Sequence, residues 1–147
     1  MPELDLTLDI DAPAERVWGA VLDIERYPDS MENVRSVRIL ESAGEDEQRS
    51  AWSIVLKGSI LEWEERDLID AAAMTMRFHQ VSGDLSAFDG HWRVSHRGEG
   101  LATARFTVSF EIGIPLLAEM LNPVATRSLE ENCIEMLRGV ERQVVAS

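Results

Sequence analysis

Basic residues are scarce in this chain: 14 Lys and Arg stand against 27 Asp and Glu in 147 residues, a net charge of −13. Such an excess of acid repels phosphate backbones and anionic lipid surfaces, which argues against nucleic-acid binding and favours an uncharged or cationic ligand. Cysteine is nearly absent. The single Cys133 cannot close an intrachain disulfide; with nothing basic beside it in sequence it reads as a buried structural thiol, and a cytoplasmic location follows. Long apolar runs are missing too. Nothing approaches the roughly 18 consecutive apolar residues of a membrane span, and the first residues lack the basic and apolar regions of a signal peptide, so the chain reads as soluble, unprocessed and without stable membrane insertion.

Motifs for bound groups are equally lacking. No glycine-rich loop follows a strand and opens a helix, and no Gly-x-Ser-x-Gly elbow occurs. His79, His91 and His96 form no ligand pair with a carboxylate at helical spacing, so no metal site is expected. There is no internal repeat, linker or low-complexity segment. Residues 1–147 read as one domain, long enough to bury a core without staples.

What is present is a run of strands closed by a helix. Leu4, Leu6, Leu8 and Ile10 alternate with polar residues in a half-buried strand, and Asp11-Ala12-Pro13 ends it and starts a helix with Val17, Trp18, Val21 and Leu22 on one face. Residues 23–32, around Tyr27 and Pro28, read as a loop or short second helix. Strands are expected over 33–41, 49–57, 60–69, 74–81, 85–96 and 101–112, with turns between them; Gly98 and Gly100 supply the positive φ of the last hairpin. From Asn122, a candidate cap with Pro123 in the first helical position, a long amphipathic helix runs to the end. Leu121, Ala125, Leu129, Cys133, Met136, Val140 and Val144 line its apolar stripe, which Gly139 interrupts at a tolerated cost. Asn132 sits at the margin of that stripe and needs partners in backbone, water or ligand. The pattern is α+β: an antiparallel sheet curled around a terminal helix.

The informative strand is Ile60-Leu-Glu-Trp-Glu-Glu-Arg-Asp67. Glu62, Glu64 and Arg66 share one face, and Leu61, Trp63 and Glu65 share the other. Periodicity favours water against the charged face. The alternative turns it inward, with Arg66 on a ligand oxygen and Glu62 or Glu64 balancing its charge, since a buried guanidinium must be paired. The next strands pose the same choice. Met74, Met76 and Phe78 alternate with Thr75, Arg77 and His79, which places His79 outside, while Trp92 is inside under either reading.

Several phrases of this chain resemble the START-like, helix-grip superfamily, in particular its bacterial branch of polyketide cyclase/dehydrase and coenzyme-Q-binding proteins. They are Ile10-Asp-Ala-Pro-Ala-Glu-Arg-Val-Trp18, Asp23-Ile-Glu-Arg-Tyr-Pro28, the Arg66 strand, Phe88-Asp-Gly-His-Trp92, and Leu129-Glu-Glu-Asn132 with Met136-Leu137. The resemblance covers nearly the whole chain. It implies a seven-stranded antiparallel sheet wrapped around the long C-terminal helix, two short helices after the first strand, and a ligand cavity between sheet and helix. It further implies that Arg66 points into the cavity, that Glu62 and Glu64 fall on cavity positions usually hydroxyl or aromatic in those enzymes, and that Trp92 is a cavity aromatic. Tyr27 lies at the entrance and Asn132 is a polar group on the helix. His79 matches a basic cavity position, against the pattern of its own strand.

Two functions follow from the resemblance. The first is a cofactor-independent aromatase/cyclase that folds a poly-ketone in an apolar cavity. Arg66 would steady the developing oxyanion and Glu64 or His79 would carry the proton; Glu62, Trp92, Tyr27, Asn132 and Met136 would hold the substrate, with an acyl carrier protein admitted as partner. The second is a carrier of a hydrophobic small molecule such as a quinone or lipid, without chemistry.

Overall fold

The alternation read from the first residues produces β1 (Glu3–Ile10), with Leu4 and Ile10 buried and Leu6 and Leu8 half-buried. The computed structural model describes residues 3–42, 44, 46–56, 59–112 and 115–145. After β1, Pro13 sits in extended backbone at the N-cap of α1 (Ala14–Leu22), which buries Val17, Trp18 and Val21. A 3-10 turn (Ile24–Arg26) leads into the one-turn helix α2 (Tyr27–Ser30). The strands β2 (Val34–Ser42), β3 (Glu47–Leu56), β4 (Ser59–Asp70), β5 (Thr75–Gly83), β6 (Leu85–Gly98) and β7 (Leu101–Ile112) follow, and α3 (Pro115–Val145) completes the order.

All seven strands form one antiparallel sheet in the order β1-β7-β6-β5-β4-β3-β2. Register shifts interrupt the β2–β3, β4–β5 and β6–β7 ladders. Bulges of this kind bend strands and increase local twist, which lets a long sheet curl. Helix α3 packs against β1, β3, β7 and both shorter helices. The expected α+β helix-grip architecture is the one observed.

Two close approaches set the packing. Across from Phe78 in the β5–β6 ladder lies Gly90, where an added Cβ would stand 2.1 Å from the Thr107 carbonyl oxygen and 2.5 Å from Cζ of Phe78. Gly139 serves α3 in the same way. A Cβ there would meet Cγ of Met31 at 2.4 Å, so this glycine, read from the sequence as merely tolerated, lets α2 seat against the long helix.

The helix differs from the sequence expectation at its start. It begins at Pro115, leaving Asn122 and Pro123 inside it rather than at its cap. Pro115 equally suits a first helical position, and the leucine-rich segment after it favours helix; Pro123 inside the helix removes one backbone hydrogen bond and crowds the carbonyl one turn back, a cost of about 3 kcal/mol. Along the stripe, Cys133, Leu137, Val140 and Val144 are buried and Met136 is half-buried. The side chains of Leu121, Ala125 and Leu129 lie outside the described ones, as does the turn expected at Gly58. Met74, expected in a strand, instead closes the turn before β5 at a φ of 51°. Among the described residues no helix is long and apolar enough to cross a membrane.

Candidate functional site

Inward-facing positions of β3 to β7 carry most of the aromatic residues, and these touch one another in sequence. Trp52 stacks on Trp63 across the β3–β4 ladder, with centroids 5.9 Å apart and planes within 3°. Trp63 touches Phe88, Phe88 touches Phe78, and Phe78 stacks on Phe106. Phe106 packs on Trp92 at 4.3 Å, and Tyr27 closes the circuit with edge contacts to both Trp92 and Trp52. Seven of the nine aromatic residues of the chain thus form one closed ring of contacts. Such pairs each contribute about 0.5–1.5 kcal/mol beyond the area they bury.

Six of those rings line a cavity between sheet and α3, together with Met76, Ile54, Met136, Cys133, Asn33, Asn132 and Glu65. Atom-free space there amounts to about 500 Å³ and extends to solvent; the centre of a water-sized sphere fits in about 30 Å³ of it. That holds about one or two waters. A ring-sized guest therefore enters only as lining side chains turn aside, a movement suited to the unbranched Met136.

Glu65 is the one carboxyl among the described lining residues, and it is 3% exposed. Two residues on, Asp67 is fully buried on the same face of β4. The indole Nε1 of Trp63 donates to Glu65 Oε1 at 2.8 Å. Asp67 Oδ2 accepts from the Ser50 hydroxyl at 2.7 Å and from Gln48 Nε2 at 3.2 Å, and Ser50 is itself held by Trp52 Nε1 at 2.9 Å. Burial, then the hydrogen bond and charge of Asp67, push the Glu65 carboxyl well above its usual range, against the smaller opposing effect of the Trp63 bond. Burial beside a second carboxyl favours the neutral form of Glu65. Asp67 Oδ1 is buried on the same face with no hydrogen-bond partner. The site is a buried acid set in an aromatic wall, with a second carboxyl behind it.

The other polar groups are quieter. Burial and the charge of Glu130 push the Cys133 thiol up to about 12, so it is no thiolate nucleophile. Tyr27 is fully buried, its hydroxyl donating to the Val21 carbonyl at 2.6 Å, and burial with the charges of Asp67 and Glu65 raises its pKa well above the ordinary value. It belongs to the ring rather than to an entrance. Asn132 donates from Nδ2 to the Val55 carbonyl at 3.1 Å, which fixes α3 to β3 while its side chain lines the cavity.

Where the other candidate residues lie is decided by register. Arg66 stands across from Arg49 on one side and His79 on the other, all on the outer face of the sheet, and its guanidinium pairs with Glu47 at 3.0 Å with the side chain 55% exposed. The inward orientation of Arg66 is thereby corrected. Glu64 pairs with Arg49 at 3.6 Å on the same outer face, and Glu62 is exposed. His79 is 70% exposed and pairs with Asp89. Of the eight predicted site residues, Trp92, Asn132 and Met136 come together in the cavity and Tyr27 lies against it; Arg66, Glu64, Glu62 and His79 are on the far side of the sheet.

The reason is the period of the strand. Trp63 anchors one face of β4 in the core, so Glu65 and Asp67 must share it and Arg66 cannot. Sequence reasoning placed Glu65 beside Trp63 and gave it no role. The available signal was a carboxyl two residues from a buried tryptophan, with a second carboxyl two further on.

Residues 10–136 match the sequence model of the family described as polyketide cyclase / dehydrase and lipid transport. The chain belongs to this family. A bifunctional cyclase/dehydratase of the actinorhodin polyketide synthase from Streptomyces coelicolor is 27% identical to this polyketide cyclase/dehydrase family member over 128 residues, 84% of this chain and 40% of that protein. The chain thus spans well under half the length of that relative. Among solved structures, a protein from Thermus thermophilus superposes with a TM-score of 0.92 at 28% identity, covering 99% of this chain and 98% of the other. The Zhui aromatase/cyclase from a Streptomyces species shares the fold, with a TM-score of 0.84 at 22% identity over 97% and 92% of the two chains.

Proposed function

We propose that this protein binds a poly-ketone or aromatic intermediate in its apolar cavity and promotes aldol cyclisation and dehydration. The observation that carries the proposal is Glu65, a buried acid lining a closed ring of aromatic side chains. Aldol closure needs one proton moved from an α-carbon to a ketone oxygen, and both groups held close in one geometry. Glu65 gives its proton to the ketone oxygen. The α-carbon bonds to the ketone carbon in the same step, and the buried Glu65 carboxylate so formed takes the proton that the α-carbon gives up, which restores the acid. Loss of water uses the same exchange: Glu65 protonates the departing hydroxyl and its carboxylate takes the neighbouring α-proton. The aromatic walls exclude water and offer flat surfaces to the forming ring. Membership of the cyclase/dehydrase family supports this reading.

The test is turnover of a synthetic linear poly-β-ketone thioester. Glu65→Gln keeps the shape and removes the transferable proton, so cyclised product should form at least about a hundredfold more slowly, the usual size of a general acid–base contribution. Unchanged rate and product distribution would reject the assignment.

A carrier of a hydrophobic molecule is the second reading, favoured by the lipid-transport part of the family description and by the apolar lining. Native mass spectrometry after gentle purification distinguishes it: a retained, chemically unchanged apolar ligand supports carriage.

A further inference from the structure

The cavity has a second polar pole that the proton chemistry does not use. Asn33, in the turn just before β2, lines the cavity, and its side-chain Oδ1 is buried with no hydrogen-bond partner. Its orientation is fixed. Nδ2 donates to the Asn132 backbone carbonyl at 3.4 Å, so a flipped amide would set oxygen against oxygen. The backbone carbonyl of Asn33 accepts from Val55 N–H at 2.8 Å, which ties this corner to β3. A buried acceptor without a donor costs about 1–3 kcal/mol, and a ligand hydroxyl is what would relieve it.

Glu65 supplies the complementary group, a neutral carboxyl able to donate. It pairs across β3 with Ser50, whereas Asn33 is bonded to Val55. Five residues of strand separate those two positions, roughly 17 Å of backbone before side chains reach inward. Donor and acceptor therefore stand toward opposite ends of one slot with aromatic walls. No arginine, lysine or histidine is among the described lining residues, so nothing there compensates an anionic ligand.

We infer that the cavity recognises a neutral, flat, ring-sized molecule with a hydroxyl at one end and a ketone oxygen at the other, the hydroxyl donating to Asn33 Oδ1 and the ketone accepting from the Glu65 carboxyl. This rests on the reading of the cavity as the substrate site and narrows it to partly cyclised hydroxy-ketones, such as a phenolic ketone. A free acid or phosphate ester is excluded. The ketone so held is also the one that Glu65 can protonate.

Three probes of nearly equal shape test it: 6-hydroxy-1-tetralone, 1-tetralone without the hydroxyl, and 5,6,7,8-tetrahydro-2-naphthol without the ketone. Binding is read from tryptophan fluorescence, since Trp52, Trp63 and Trp92 line the cavity. The first probe should bind about tenfold more tightly than either of the others, the ordinary worth of one hydrogen bond. Asn33→Ala should abolish the preference over 1-tetralone alone, and Asn33→Asp, which keeps an acceptor, should retain it. Glu65→Leu should abolish the preference over tetrahydronaphthol alone. Equal affinities for the three probes, no binding of the first, or variants that change both preferences alike would overturn the inference. Poly-ketone turnover by Glu65→Gln is read separately: loss of preference with intact Glu65-dependent turnover defeats only the two-pole recognition, and the preferences with Glu65-independent turnover defeat only the catalytic reading.

Discussion

At the scale of single residues, two neighbours on one strand have opposite fates. Arg66 is exposed and paired at the surface, where such bridges contribute little. Arg66→Ala should leave turnover unchanged and shift stability by less than about 0.5 kcal/mol in a urea titration. Glu65 behaves differently because the folded protein holds a proton that the unfolded chain, with its ordinary Glu value of 4.5, has released. Its contribution to stability is complete below 4.5 and is lost as pH rises toward the folded-state value. Over that window unfolding free energy should fall by up to about 1.4 kcal/mol per pH unit from this group, and Glu65→Gln should remove that component of the slope. Trp63→Phe takes away the indole donor that opposes the upward shift. The same slope should then persist to higher pH, a direction that urea titrations at several pH values would read.

Secondary-structure elements were the most legible part of the sequence. Alternation in 4–10 and 101–110 and the 3.6-residue stripe of α3 from Cys133 to Val144 are direct consequences of burying one face, and each appears in the structure. Strand β4 was harder because its inner face carries two carboxyls, a pattern that looks like solvent exposure until Trp63, two residues away, and Ser50 and Gln48, brought alongside by pairing, are seen to hold them. The contacts from Ser50 and Gln48 are long-range, and no local periodicity contains them. The same holds for the glycines. Gly90 and Gly139 look like ordinary weak points, yet each marks a close approach. Gly90→Ala should destabilise by about 3 kcal/mol, since the clash is with backbone and a packed ring. Gly139→Ala should gain helix propensity and still be destabilising, because Met31 must move; thermal denaturation of both variants checks the order.

For the whole molecule, the aromatic circuit joins the sheet to the helical cover. Tyr27 from α2 completes contacts that otherwise run only across strands, so the ring couples the α2 end of the fold to the cavity walls. That closure was invisible in a composition only 6% aromatic. What the sequence did convey was the class of architecture and the position of Trp92, Asn132 and Met136 on inward faces. What it could not convey was which side chains of β3 would hold the enclosed acids, because those partners arrive only through strand pairing.

The account stands on Glu65 being a protonated acid that looks into the cavity, and carboxyl ¹³C NMR of glutamate-labelled protein, with Glu65→Gln to assign the resonance, measures this directly. The Glu65 signal should titrate well above 4.5 and shift when 6-hydroxy-1-tetralone is added. A signal that titrates at the ordinary glutamate value and ignores the ligand would contradict it.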